Sequence, residues 1–456
     1  MRSTTVTESK CRGRLLPLLL LVGCGHSPGT VDASAASRFT HHLTLGSQLP
    51  FLGEHFGAAA VMSGDGNTLA IADAGSMGPT GGVFVLARAG NAFEQQAYLQ
   101  PADLRPGDLF GTSMQLSTLG DTLVIGAQGD SSAASGIDGN HDDQSLPGAG
   151  AAYVFKRNGT IWIRQTYLKA SNPDAFDRFG AVAAISGDGN TIAIGAPFED
   201  SPATGIDGDQ VSNAAVDAGA VYVFATDGTT WAQQAYLKAS NTDAGDGFGT
   251  AVALAADGAT LAAGAPHEAS ATAANPADNS RTDAGAAYVF VRAAAWTQVA
   301  VLKTATPTTG DTFGGALAIS GLATTLVVGA AAESLTGVAH VFHLAGTWSD
   351  TAQLRPPPPA PSQLFGARVA LSADGETLAV QAPTESSTAA ESGAVYAFAN
   401  LAGSWHQTAL LKAPLPVLDQ RFGNGLALSN NGSLLLAGDV GDDAATTDAG
   451  AAYLFY

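Results

Sequence analysis

The sequence predicts an all-β fold, a seven-bladed β-propeller of four-stranded antiparallel blades closed by an N-terminal strand that completes the last blade. An aromatic residue is followed after six residues by Leu and after eleven more by Phe-Gly, and this spacing occurs seven times. A fixed internal period of this kind indicates one structural unit repeated around an array. The chain also ends one strand short of a complete copy. The copies are Phe39/Leu45/Phe56-Gly57, Phe93/Leu99/Phe110-Gly111, Trp162/Leu168/Phe179-Gly180, Trp231/Leu237/Phe248-Gly249, Trp296/Leu302/Phe313-Gly314, Trp348/Leu354/Phe365-Gly366 and Trp405/Leu411/Phe422-Gly423.

Each copy contains four short segments with the composition of β-strands. In the third copy they cover residues 179–186, 191–197, 218–224 and 231–238, and Gly, Asp, Asn or Pro bounds each one. Such runs separated by turn residues are typical of strands joined by hairpins. The third segment is apolar at both sets of alternating positions, which predicts a strand buried on both faces. Small sheets stacked radially around an axis bury their strands in this way.

The two ends of the chain predict how the ring closes. The last copy stops in its third strand, at residues 451–456, and the chain begins with an unpaired fourth strand at residues 39–45. If these segments pair, seven complete blades result and no strand edge is left open at the join.

The Phe-Gly pairs are accompanied by a second recurring element. Gly-Ala-Pro occurs at residues 195–197 and 264–266, with partial forms at 126–128, 329–331 and 381–383. The first and last copies depart from it, with Ala-Asp and Gly-Asp in its place. These motifs resemble the FG-GAP repeat family, which includes the N-terminal propellers of integrin alpha chains. The resemblance covers residues 39–456 and implies a seven-bladed propeller in which the Phe-Gly pairs are structural. In integrins the family also binds ligands and calcium.

The N-terminus carries export signals. Residues 1–23 combine basic residues with a short apolar core, which is typical of a signal peptide. The core ends in Leu-Val-Gly-Cys, which resembles the bacterial lipoprotein signal and implies lipidation of Cys24; the alternative is an ordinary signal peptide with a chance Cys. Residues 24–38 are rich in small and polar residues and predict a flexible tether before the propeller at 39–456. Gly25 after the Cys implies the outer membrane or cell surface, with the lipid as the only membrane contact.

The charge balance restricts the partners. The chain has 20 basic and 40 acidic residues, for a net charge of −20. This argues against a nucleic-acid partner, which needs a basic surface. It is compatible with cations, with basic partners, or with solubility alone.

The loops between the second and third strands are the expected binding surface. They are long in three consecutive copies, at residues 128–148, 198–217 and 267–284. Binding residues are commonly found on loops held by a rigid scaffold. The alternative is that these insertions drifted freely, because long surface loops cost little stability.

We expect no cofactor, and calcium is the one alternative that the loops leave open. Asp138, Asn140 and Asp142 place oxygen ligands at alternate positions, the spacing that calcium loops use. No bidentate Glu follows, and residues 207–209 are a poorer copy, so we expect a polar turn here and keep calcium as the alternative. The hairpins between the first and second strands offer only one Asp followed by Gly, which predicts tight turns rather than metal sites.

The residues with potential chemistry do not form a recognisable catalytic motif. Asp108, Asp177, Asp246 and Asp311 each stand two residues before a Phe-Gly pair, so they predict a structural hydrogen bond to a turn. His340 lies three residues before a second His, and on a strand the two side chains point to opposite faces, which predicts polar surface residues. We therefore expect a non-enzymatic, monomeric binding or adhesion module with a protein or glycan ligand. The alternatives are a propeller hydrolase or lyase and a structural envelope-assembly protein.

Overall fold

The protein forms a ring of seven four-stranded antiparallel sheets, as the sequence predicts. The structure is a computed structural model that describes residues 39–46, 55–73, 81–275, 277–357, 359–441 and 449–456. The predicted signal peptide, Cys24 and the tether lie outside the described residues. Within these ranges the only helix is a single 3₁₀ turn at Glu333–Leu335. No helix in this part of the chain is long and apolar enough to span a bilayer.

Six blades use four consecutive strands each, and the seventh combines both ends of the chain. Blade 1 contains β2 (Phe56–Met62), β3 (Thr68–Asp73), β4 (Gly82–Ala89) and β5 (Ala92–Leu99); blade 2 contains β6 (Phe110–Leu116), β7 (Thr122–Ala127), β8 (Ala151–Asn158) and β9 (Ile161–Leu168); blade 3 contains β10 (Val182–Ile185), β11 (Thr191–Ala196), β12 (Ala220–Thr226) and β13 (Trp231–Leu237); blade 4 contains β14 (Ala251–Leu254), β15 (Thr260–Ala265), β16 (Ala286–Arg292) and β17 (Trp296–Leu302). Blade 5 contains β18 (Phe313–Ile319), β19 (Thr325–Ala330), β20 (Val338–Leu344) and β21 (Trp348–Leu354); blade 6 contains β22 (Val369–Leu371), β23 (Thr377–Ala382), β24 (Ala394–Leu401) and β25 (Ser404–Leu411); blade 7 contains β26 (Leu426–Leu428), β27 (Leu435–Asp439), β28 (Ala451–Phe455) and β1 (His42–Leu45).

The join in blade 7 has the predicted arrangement. β1 pairs antiparallel with β28, and the register runs from His42 opposite Phe455 to Leu45 opposite Ala452. The first strand of the chain therefore serves as the fourth strand of the last blade, which confirms the predicted closure.

The Phe of each Phe-Gly pair is buried between blades. In blade 3, the Phe179 ring contacts Tyr222 and Phe224 of β12 in edge-to-face geometry, with centroids 5.3 and 6.1 Å apart. The same edge-to-face pairing recurs around Phe248 and Phe365. Aromatic pairs in this geometry stabilise a core beyond the area that they bury.

The Phe-Gly pair of blade 7 departs in part from this arrangement. Phe422 is completely buried, as a structural residue should be, and it meets Phe455 edge to face with centroids 6.2 Å apart. Its contact with Tyr453 is tilted instead, at 5.9 Å and an interplanar angle of 50°. The predicted structural role of Phe422 therefore agrees with its burial, but the aromatic geometry around it is not an exact copy of the other blades.

The first strand is also shorter than predicted in four of the blades. The sequence analysis starts this strand at the Phe of the motif, which is correct for blades 1, 2 and 5. In blades 1, 2 and 5 the Phe pairs with the last residue of the second strand across a bulge, as Phe110 does with Ala127. In the other four blades pairing with the second strand begins only after the motif glycine, so the predicted start was wrong for Phe179, Phe248, Phe365 and Phe422.

The glycines of the two motifs allow neighbouring backbones to approach closely. Gly249 has a φ of +90°, and a Cβ there would lie 2.5 Å from the carbonyl oxygen of Ala220 in the preceding blade. Gly264, from a Gly-Ala-Pro triplet, would place a Cβ 1.9 Å from the carbonyl oxygen of Gly314 in the next blade. Any side chain at these positions would separate the blades, so the motif follows from packing.

The hairpins between first and second strands are tight turns, as predicted. In blade 3 the Ser186 hydroxyl donates to Asp188 Oδ1 at 2.5 Å, and the same oxygen accepts the N–H of Asn190 at 2.9 Å. These hairpins are also joined to one another by one backbone hydrogen bond across each of the seven blade interfaces. The bonds, N–H to carbonyl, are Asp65 to Thr118, Thr118 to Gly187, Gly187 to Ala256, Ala256 to Gly321, Gly321 to Ala373, Asp374 to Asn430 and Asn430 to Gly64.

The ring has two distinct faces. The hairpins between strands 1 and 2 and between strands 3 and 4 lie on one, which we call the hairpin face. The loops between strands 2 and 3 (2–3 loops) and the connections between blades (4–1 loops) lie on the other, the loop face. Hydrogen bonds join the two kinds of loop there, for example Phe176 N–H to the Pro147 carbonyl at 2.9 Å and Gly245 N–H to the Val216 carbonyl at 2.8 Å.

Candidate functional site

Buried ion pairs fix the long loops of the loop face. Lys238 Nζ donates to Glu199 Oε2 at 2.8 Å, and both side chains are almost completely buried. The acid lies three residues after the second strand of a blade and the Lys directly follows the fourth, so pairing of the strands between them brings the two charges together. The equivalent pairs are Lys169 with Asp130, Lys303 with Glu268 and Lys412 with Glu385. The sequence analysis missed them, although the signal is present as an acid three residues after the Ala that ends each of these second strands.

The polar atoms around Glu199 are well satisfied. Its carboxylate also accepts the Tyr236 hydroxyl at 2.7 Å and the Asn172 amide at 3.0 Å. Burial lowers the pKa of the Lys238 ammonium, and the adjacent Glu199 carboxylate opposes that change. A buried ion pair is retained without a large cost only when its remaining hydrogen bonds are made, as they are here. The pair therefore fixes the root of the 198–217 loop to the end of β13.

The predicted calcium ligands have other partners. Asp138 Oδ1 accepts the Tyr167 N–H at 2.8 Å and the Thr166 hydroxyl at 3.1 Å. Asn140 Oδ1 accepts the N–H of Asp142, whose own carboxylate lies 3.7 Å from Arg105. Within the described ranges, no group of three or more His, Cys, Asp and Glu side chains is arranged to hold a metal ion. Calcium at these residues stays a prediction.

The Asp residues that precede the Phe-Gly pairs hold turns, as predicted. Asp177 Oδ2 accepts the N–H of Asp174 at 2.9 Å, and Asp246 Oδ2 accepts that of Asp243 at the same distance. Asp108 and Asp311 make the equivalent bonds. Burial raises the pKa of Asp177 and of Asp246 to about 7.

His340 is not the surface residue that the sequence analysis predicts. It is completely buried in β20, its Nε2 lies 2.7 Å from Glu333 and its Nδ1 lies 2.9 Å from Asp350. Burial lowers the pKa of the imidazole, but the two carboxylates outweigh that effect and raise it to about 9. Val338 to Phe342 are buried on both faces of β20, and His343 is exposed because it lies beyond them near the end of the strand. The neighbouring carboxylates come from the 2–3 loop and from β21, which the spacing could not indicate.

A cavity follows the axis of the ring. Its volume is about 680 Å³, and residues from the innermost strands of all seven blades line it. Gln128, Pro383 and Arg421 also line it, so the cavity reaches the loop face. The lining residues include two arginines, Arg368 and Arg421, but no Asp or Glu among the residues that the structure describes. This lack of acidic residues contrasts with the net charge of the whole chain.

A family comparison agrees with this architecture. The FG-GAP repeat model matches residues 93–155, 162–224 and 231–290. Each match begins at a fourth strand and ends in the third strand of the next blade. The chain is an FG-GAP repeat propeller. The glycine contacts and the aromatic pairs described above explain the family's motif in this protein.

The comparison with solved structures supports the fold and nothing further. The structure of Kuenenia stuttgartiensis hydrazine synthase aligns with a TM-score of 0.50 at 12% identity, covering 86% of this FG-GAP propeller and 94% of that chain. At this identity the likeness does not carry the neighbour's activity with it. No curated protein matches the sequence.

Proposed function

We propose that this FG-GAP propeller is an exported, non-enzymatic binding module. It is anchored by a lipid on Cys24 in the outer membrane or at the cell surface. Its partner is a protein or glycan that contacts the loop face over blades 2, 3 and 4. The anchoring of the long 2–3 loops by buried ion pairs in these three neighbouring blades carries the proposal.

An insertion that arose by neutral drift would need no contacts to hold its conformation, but these three loops make such contacts. Each of the three is tied at its root by a buried ion pair. In blades 2 and 3 each loop also crosses its own fourth strand, with isolated β-bridges between Ile137 and Leu168 and between Ile206 and Leu237. Loops that are ordered before binding lose less conformational entropy when a partner binds.

The same loops expose large apolar side chains. Val211 is 88% exposed and Val216 is 58% exposed, both in the long loop of blade 3. Phe176, in the adjacent 4–1 loop, is 63% exposed. Exposed apolar groups rimmed by polar residues are typical of interaction sites.

The residue cluster that most resembles a catalytic group supports a non-enzymatic role. Glu333, His340 and Asp350 place an imidazole between two carboxylates, whereas the triad of serine hydrolases pairs the imidazole with one carboxylate and a nucleophilic hydroxyl. The His340 ring has no exposed surface, and both of its nitrogens are already bonded to these carboxylates. An ion triad enclosed in this way stabilises the blade and offers no group to a substrate.

Paired surface variants test the binding proposal. Val211→Asp/Val216→Asp charges the loop face, and Leu119→Asp/Leu322→Asp charges the hairpin face at two aliphatic residues that are also well exposed. The purified chain from residue 25, which retains all seven blades, is applied to glycan and envelope-protein arrays. We expect a ligand that is lost with the first variant and kept with the second. A ligand that both variants keep, or one lost only with the hairpin-face variant, would contradict the use of the loop face, and no ligand on either array would count against a binding module.

The anchor is tested separately. Cells that express the full chain are labelled with radioactive palmitate, and the same is done with Cys24→Ser. We expect label in the wild-type protein alone. An unlabelled wild-type chain in the soluble fraction would contradict lipidation without affecting the proposal for the loop face.

A further inference from the structure

One cavity residue breaks the repeat pattern. Arg368 is the third residue after the Phe of its motif, and the same position holds small or uncharged residues in every other blade. Those residues are Ala59, Ser113, Val182, Ala251, Ala316 and Gly425. A feature that repeats in each blade serves the scaffold, whereas a charge that occurs once is free to serve a ligand.

The Arg368 guanidinium is a charge inside the ring without a counter-ion. Its side chain is accessible to water and lines the cavity, and it makes no ion pair or side-chain hydrogen bond with any residue that the structure describes. The surrounding protein lowers the pKa of this guanidinium by desolvation, and no nearby carboxylate opposes the change. An exposed arginine that faces a cavity and has no counter-ion is available to pair with an anionic group of a ligand.

The second arginine of the cavity is different. Arg421 lies at the loop-face end, 3.4 Å from Asp419 and 3.9 Å from Glu391, both exposed. Its charge is therefore partly balanced. Arg368, further along the axis, is the cation that remains unbalanced.

Other polar groups line the cavity near Arg368. Gln381 replaces the glycine that five blades have at its position, and its N–H donates to the Arg368 carbonyl at 2.9 Å. Asn424, from the next blade, also lines the cavity. Thr112 and Ser113 of blade 2 also line the cavity. Polar residues thus occur on more than one wall of the cavity.

We propose that the axial cavity is a binding site for a small organic anion whose carboxylate or phosphate group pairs with Arg368. Guanidinium matches such oxyanions through two parallel hydrogen bonds. The cavity has the volume of a small-molecule site. This site is distinct from the loop surface of the proposed function, and either can exist without the other.

The test uses thermal unfolding of the chain from residue 25 with citrate or inorganic phosphate, each compared with sodium chloride at equal ionic strength. Arg368→Gln removes the charge in the cavity, and Arg281→Gln removes an exposed charge in a 2–3 loop. We expect either probe to raise Tm in the wild type and in Arg281→Gln, because a ligand that binds only the folded state stabilises it. Arg368→Gln should bind the probe at least about thirtyfold more weakly.

Two results would overturn the proposal. One is an equal Tm response in all three proteins, which would indicate general ion effects. The other is no response to either probe in the wild type at probe concentrations up to about 50 mM. This is about 50-fold above 1 mM, the upper end of ordinary KM values. If Arg368→Gln does not fold, Arg368→Lys provides the comparison, since it keeps the charge but not the two parallel hydrogen bonds and should bind the probe more weakly than the wild type.

Discussion

The buried pair between Lys238 and Glu199 gives the sharpest test of how the loops are held. Lys238→Met retains the length of the side chain but leaves the Glu199 carboxylate buried without its cation. At an effective dielectric of about 20, unit charges separated by 2.8 Å attract by about 6 kcal/mol. Desolvation of the pair cancels part of this, so we expect the variant to lose about 3–5 kcal/mol of unfolding free energy.

The assay is equilibrium unfolding in urea of the chain from residue 25, followed by tryptophan fluorescence. Lys156→Met is the matched control, because Lys156 lies 3.1 Å from Asp121 but both side chains are about 40% exposed. It should lose less than about 1 kcal/mol. The double variant Glu199→Gln/Lys238→Met should recover much of the loss, since no unpaired charge remains. If Lys238→Met were as stable as Lys156→Met, the argument that the buried pairs hold the loops would be wrong.

Four further predictions concern the scaffold and its charges. Gly249→Ala should unfold at a temperature lower by several degrees than Gly228→Ala, because both have positive φ but only the first meets a neighbouring backbone; equal melting would refute the close-packing account. His340 has a pKa raised to about 9, so its contribution of about 3 kcal/mol to the free energy of unfolding is complete below pH 6.5 and is lost as the pH rises through 9. In His340→Gln the free energy of unfolding, measured in urea, should therefore change less between pH 6.5 and 9 than in the wild type. The same pH profile in both proteins would refute this role of His340. Asp246 has a pKa raised to about 7, so the wild type loses stability as the pH rises from about 4 to 7. At pH 8 Asp246→Asn should therefore be more stable than the wild type. A variant less stable than the wild type at pH 8 would show that the fold favours the ionised Asp246 carboxylate. Because Asp138 already accepts two hydrogen bonds, we expect the same Tm in EDTA and in Ca²⁺, and a rise of several degrees with calcium, lost in Asp138→Ala, would establish the metal site.

The scaffold was predictable because its determinants are local and repeated. The spacing from Trp231 to Phe248-Gly249 recurs in every blade, and each copy contains its own turns. The unpaired strands at the two ends then allowed one closure that left no open edge at the join. A fold can be predicted from sequence when the strand pattern, the turn residues and the repeat spacing all indicate the same structure, as they do here.

The site was less predictable because its contacts join distant residues. Glu199 and Lys238 are separated by two strands and a long loop, and only the blade brings them together. Arg368 stands in an apolar segment, and its cavity exists only after seven innermost strands surround one axis. The sequence around His340 indicates only that it lies on a strand. The two carboxylates that pair with its ring come from other segments of the chain. The start of the first strand was misplaced at Phe422 because the repeated motif does not show in which blades the Phe pairs with the second strand.

The strand that closes the ring also determines the face at which the chain enters the propeller. As the fourth strand of blade 7, β1 runs from the hairpin face toward the loop face, from His42 to Leu45. His41 therefore lies at the hairpin face, where its N–H and carbonyl both bond to Tyr456. The point of attachment to any N-terminal segment is thus on the face opposite the long loops and the mouth of the axial cavity, so a support bound there leaves the loop face free.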